Sequence, residues 1–151
     1  MNEQQAFSDM VFQKTAAALA GLSEETRNDV YALSFWLSGG DEWLPSLLVS
    51  YNTCQQFVKK QGETHKQDDE AKWNYAYWLQ DEAELLGVDA YRNNTELQAW
   101  LENTPFAYTQ EQYEAMFDND DENEGEDIDD KSNEFYQAFV ETQIAVVQRL
   151  F

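Results

Sequence analysis

The chain has 151 residues and a formal net charge of −21, with 30 acidic residues against nine basic ones. That charge repels phosphates and anionic lipid surfaces, which excludes nucleic acid and membranes as direct partners. A hydrophobic fraction of 42% and an aromatic fraction of 15% exclude a globally disordered chain.

The length fits one domain able to bury a core. No apolar run approaches the roughly 18–20 residues of a bilayer span, and no signal-peptide pattern opens the chain. The single cysteine, Cys54, permits no internal disulfide, so the cytoplasm is the expected compartment.

Residues 3–22 place Phe7, Met10, Val11, Ala18 and Leu22 at helical spacing and end near Gly21, which predicts an amphipathic helix. A short acidic turn or one-turn helix from Ser23 leads to two β-prone runs, 30–37 and 44–52, separated by Ser38-Gly39-Gly40-Asp41. Alternation puts Tyr31, Leu33, Phe35 and Leu37 on one face, and Val30, Ala32, Ser34 and Trp36 on the other. With glycines to reverse the chain, this reads as a β-hairpin. Its two largely apolar faces suggest a strand pair covered on both sides.

Asn52 and Thr53 suit either a turn or the cap of a short helical segment through Val58, and residues 59–69 read as a polar loop. Residues 70–86 predict a second long helix, with Tyr75, Trp78, Leu79, Glu82 and Leu86 on one face and Gly87 at its end. Asn93 and Glu96 imitate a capping box for a helix carrying Leu97, Trp100 and Leu101, which stops before Pro105. A short helix follows from Thr109. Residues 132–151 predict a last helix with Tyr136, Val140, Ile144, Val147 and Phe151 on one side. The fold expected is α+β: a single domain whose small antiparallel sheet grows from the hairpin and is packed by long helices. Two strands are few for a sheet. A third is sought around 107–109 or before Asp29.

Chemistry-bearing patterns are sparse. His65 is the one histidine, Cys54 has no histidine near it in sequence, and Ser38-Gly39-Gly40 lacks the spacing of a phosphate loop. Nothing marks a catalytic residue, and no cofactor is implied. In residues 118–130, nine of thirteen are acidic, which reads either as a solvated, mobile loop with no partner or as a flexible acidic arm that engages a basic protein surface. Aligned as a calcium loop from Asp120, it places Lys131 where a bidentate Glu is needed, so no metal is expected. Trp36, Trp73, Trp78 and Trp100 are expected in the core. Trp43, beside Asp41 and Glu42 in the hairpin loop, suits either contact or packing. Asn74, between two large aromatics, is either a buried hydrogen-bonding residue or, with Tyr77, part of an aromatic ligand pocket.

The blocks YALSFW (31–36), PSLLVSYNT (45–53) and EAKWNYAYWL (70–79) resemble an uncharacterised bacterial family found among immunity genes of polymorphic toxin systems. The likeness covers roughly residues 1–90 and implies no catalytic residues. An immunity-type role implies a basic protein partner, such as a toxin domain, occluded without catalysis. The contact residues expected are Asp41, Glu42, Trp43, Asp120, Asp121, Glu122, Glu124, Glu126 and Asp127. A small-ligand or enzymatic domain using Asn74 and Tyr77 is the alternative. Mimicry of nucleic acid, which calls for carboxylates spaced along helices, is disfavoured by their clustering in one loop.

Overall fold

The computed structural model describes residues 2–39, 42–64, 68–79, 83–86, 94–118 and 122–151. The described elements are α1 (Glu3–Ala20), α2 (Glu24–Asp29), β1 (Val30–Ser38), β2 (Ser46–Thr53), α3 (Cys54–Thr64), α4 (Asp68–Trp73), a 3-10 turn (Tyr75–Tyr77), β3 (Glu84–Leu86), α5 (Thr95–Glu102), α6 (Gln110–Asp118) and α7 (Glu122–Leu150). The architecture is α+β, with a small antiparallel sheet in the order β1-β2-β3. The chain forms two compact units. One is assembled from residues 1–13, 37–46 and 88–151, the other from 14–36 and 47–87.

The expected hairpin is present, but its two strands differ in burial. In β2, the central strand, Leu47, Val49, Ser50, Asn52 and Thr53 are all buried, so both of its faces are covered. β1 lies at the sheet edge and none of its residues is buried. Coverage on both sides therefore holds for one strand of the pair. The third strand is neither of the segments expected for it. It is β3, which pairs antiparallel with β2 through Val49↔Leu86 and Ser50↔Glu84, with an irregularity between Val49 and Ser50.

β3 lies inside the stretch read as one long helix, and the hydrogen bonds explain why that helix stops. In a continuous helix the Lys72 carbonyl would accept from the Ala76 N–H. Here the Asn74 side chain takes the Ala76 N–H at 3.0 Å. The Lys72 carbonyl instead accepts from the Tyr31 hydroxyl at 2.7 Å and the Trp78 indole at 3.0 Å. Asparagine competes with helix through such local bonds, and two side-chain donors, one local and one distant, replace the one the helix loses. Helical spacing alone shows neither.

Two helices are longer than expected. α3 runs through Gly62, where the glycine costs about 1 kcal/mol relative to alanine, helped by the Lys60–Glu63 pair at 2.8 Å. α7 begins at Glu122, so residues 122–130 are helical and not the loop expected there. Carboxylates suit a helix N-terminus, Ile128 is buried, and Asp127 meets Lys131 at 2.7 Å one turn on. The α5 cap is Asn94, whose side chain accepts from the Leu97 N–H at 3.0 Å. Asn93 lies outside the described residues.

In the first unit the core is aromatic. Phe7 meets Trp100 at 5.7 Å and Phe139 at 5.8 Å, and Trp100 meets Phe135 edge-on at 5.0 Å. The buried face of α7 runs through Phe135, Phe139, Thr142, Gln143 and Val146. Ile144 and Phe151 are exposed, so that face is rotated from the one expected. Arg149 closes α7 against α1 with a 2.8 Å bond to Asp9 and its guanidinium 4.3 Å from the Phe12 ring centre. No described helix is long and apolar enough to cross a membrane.

Candidate functional site

The first unit holds most of the residues singled out for partner contact, and its hairpin loop is pinned from two sides. Gly39 lies flat against Tyr136 of α7: a Cβ built on Gly39 would come within 2.3 Å of the ring. Farther along the loop, the Trp43 carbonyl accepts a 2.8 Å bond from the Tyr108 hydroxyl. Trp43 is half-buried and Glu42 exposed, while Asp41 lies outside the described residues. Leu44, Pro45 and Ser46 bury the loop's exit. Held this way, the Glu42–Trp43 corner is a fixed feature of the unit's surface.

Tyr108 is itself buried, stacked on Tyr113 at 6.0 Å, and Tyr113 meets the exposed Phe117 at 5.5 Å. Burial, with a smaller contribution from Tyr113, pushes the Tyr108 hydroxyl far above the ordinary tyrosine value of 10.0. The folded state therefore keeps this phenol neutral where the unfolded chain would ionise it. The stabilisation is complete below pH ~10 and is lost as pH rises from there toward the folded value. Tyr108→Phe is expected to lose about 1 kcal/mol at pH 8 with the bond to Trp43. Above pH 10 it should decline less steeply than wild type, by about 1.4 kcal/mol per pH unit. Urea midpoints from pH 8 to 11 test this, and parallel alkaline limbs would contradict it.

Of the acidic positions, Asp120 and Asp121 lie outside the described residues. Glu122 and Glu124 belong to the first turns of α7, and Glu126 and Asp127 are exposed on it. Asp127 is paired with Lys131, whereas Glu126, Asp130 and Glu134 follow one another at i, i+4 and i+8. Such a row steps along the axis at about 6 Å. Gly125 and Asp127, which the calcium alignment needs in a loop, are helical. Among the described residues no group of three or more His, Cys, Asp or Glu side chains is placed to hold a metal ion. Clustering in a loop, the ground for setting nucleic-acid mimicry aside, does not apply to residues 122–130.

In the second unit the organising group is a buried hydrogen-bond relay. Asn52, fully buried on β2, donates to the Tyr31 hydroxyl at 2.9 Å and accepts from the Leu79 N–H at 3.3 Å. Tyr31 in turn donates to the Lys72 carbonyl. Burial raises the Tyr31 pKa, partly offset by the Asn52 donor. Nothing in the spacing of Asn52 singled it out. The one available signal was the amide itself, the single one in a strand of aliphatic, hydroxyl and tyrosine side chains.

The ligand-pocket residues are placed differently from the expectation. Asn74 is exposed, and its side chain caps the 3-10 turn. Tyr77 is half-buried, its carbonyl accepting from the Gln56 side chain at 3.2 Å. Cys54 is exposed at the first position of α3. Trp36 and Trp73, expected in the core, are 55% and 59% exposed, whereas Trp100 is buried. These rings form a row: Trp36 stacks on Tyr75 at 5.5 Å, Tyr75 meets Trp78 at 5.7 Å, Trp78 meets Tyr31 at 6.2 Å, and Tyr31 meets Trp73 at 6.0 Å. Alternation assigned Tyr31 and Trp36 to opposite faces, yet one segment, 73–78, receives both rings. At a sheet edge no neighbouring strand confines a long side chain, so alternation decides less there.

No family model, curated protein or solved structure matches the chain.

Proposed function

We propose that this chain is a non-catalytic, immunity-type protein of the cytoplasm that occludes a basic surface on a partner protein, such as a toxin domain. The observation that carries this reading is the concentration of charge in one unit. Residues 1–13, 37–46 and 88–151 hold 20 acidic residues and three basic ones, Arg92, Lys131 and Arg149. Lys131 and Arg149 are committed to Asp127 and Asp9. The helical row of Glu126, Asp130 and Glu134 gives the negative surface a regular spacing, and the pinned Glu42–Trp43 corner adds a fixed aromatic contact to the same unit.

Such a surface speeds encounter with a cationic partner and discriminates against acidic ones. Regular carboxylates on a rigid helix favour a partner whose own cleft is built to receive phosphates, which is the chemistry of a nuclease. The likeness of three sequence blocks to immunity-associated proteins points the same way. Asp41, Asp120, Asp121, Glu122 and Glu124 extend the proposed contact set.

The test begins with capture of the partner from the source cell and continues with the purified pair. Changing Glu126, Asp129, Asp130 and Glu134 to their amides, with Asp127 kept for Lys131, is expected to weaken binding at least tenfold near 0.15 M salt. The dependence of affinity on salt should flatten at the same time. An unchanged affinity with an unchanged salt slope would sink the proposal.

A further inference from the structure

We propose that the Trp36–Tyr75 pair is an anchor site for an arginine side chain of a basic protein partner, an inference that rests on the reading of the partner as basic. Trp36 is more than half exposed on the uncharged edge strand β1, and its ring is backed by Tyr75 at 5.5 Å with the planes 27° apart. The backing is rigid. Tyr75 leans on Trp78, whose indole is bonded to the Lys72 carbonyl, and the same carbonyl holds Tyr31. A ring fixed before binding loses little freedom when a ligand stacks on it.

The other end of the row already shows what these faces attract. The Lys72 ammonium lies 5.0 Å from the centre of the Trp73 ring and 6.0 Å from that of Tyr31. Thus the row carries a cation of its own at the Trp73 end, while the exposed Trp36 ring lies at the opposite end. Tryptophan is the best of the aromatic faces for a cation. Guanidinium suits it better than ammonium, because it is planar, stacks on the ring and sheds water more readily. The unit that carries this edge holds 10 acidic and six basic residues, so a neutral stacking ligand gains only from the ring, whereas a guanidinium gains from the ring and from a modest negative field.

The test uses the full chain labelled with 5-fluorotryptophan, the Trp36 resonance being assigned through Trp36→Phe. Arginine-rich and lysine-rich nonapeptides of equal charge are titrated near 0.15 M salt. The arginine peptide is expected to move the Trp36 resonance and to bind about two- to fivefold more tightly than the lysine peptide. Trp36→Ala should abolish that preference and leave the lysine peptide's affinity unchanged. Amide replacements on α7 should leave the arginine peptide's preference at Trp36 in place. Equal binding of the two peptides with the Trp36 resonance unmoved would overturn the anchor and leave the acidic-surface reading standing. Binding of neither peptide would overturn both.

Discussion

Asn52→Leu is expected to lower the free energy of unfolding by about 2–4 kcal/mol, the largest effect of any single polar-to-apolar change in the second unit. The side chain is fully buried and serves two partners at once, the Tyr31 hydroxyl and the Leu79 N–H. Leucine fills a similar volume but leaves the backbone N–H of Leu79 without its acceptor. It also takes from Tyr31 the donor that complements its bond to Lys72. Tyr31→Phe removes a different part of the same relay, stranding the Asn52 amide and one lone pair of the Lys72 carbonyl. The double variant should therefore be more stable than the sum of the two single effects implies, by about 1 kcal/mol. Urea unfolding of all four proteins provides the cycle. A midpoint for Asn52→Leu within error of wild type would show that the relay contributes nothing.

Gly39→Ala is the second large effect. Here the cause is space, because the new methyl would sit 2.3 Å from Cδ2 and 2.6 Å from Cε2 of Tyr136. Those atoms belong to the body of a ring, which cannot bend away as the tip of a lysine would. Either Tyr136 leaves its rotamer or the loop lifts from α7. Overpacking of this kind costs about 1–3 kcal/mol. The diagnostic is rescue: Tyr136→Ala clears the space, so Gly39→Ala should cost almost nothing in that background. If the penalty persisted there, the contact with Tyr136 would not be its source. Lifting the loop also moves Glu42 and Trp43, so the same variant should weaken partner binding when the loop belongs to the contact surface.

The elements legible in the sequence were those specified by a local rule. α1, the hairpin, α5 and α6 follow from apolar spacing, glycine and asparagine punctuation, and Pro105. What was illegible depended on partners far away in the chain. The helix ending at Trp73 could not be foreseen from residues 70–86, because the donors to the Lys72 carbonyl include Tyr31, forty-one positions earlier. β3 is three residues long, below the length at which alternation carries information, and is defined by β2 beside it. The acidic run at 122–130 shows the opposite failure. Its composition suggested solvation, whereas Ile128 and the Asp127–Lys131 pair made it helix. For the candidate site, the sequence identified Trp43 as a residue of interest but not what fixes its loop. It put Trp36 and Trp73 inside because tryptophan usually packs, and no spacing rule marks a ring backed by another ring at a sheet edge.

The segmental build of the first unit has a consequence for how the protein is made. Phe7 packs on Trp100 of α5 and on Phe139 of α7, and Asp9 pairs with Arg149 of α7, so α1 completes these contacts only when α7 has been synthesised. At about 5–20 residues per second, the interval between translation of Phe7 and of Phe139 is roughly 7–25 s. Throughout that time the apolar face of α1 lacks its cover from α7 and is a natural client for a ribosome-associated chaperone. Slowing elongation late in the message should therefore harm yield more than slowing it early.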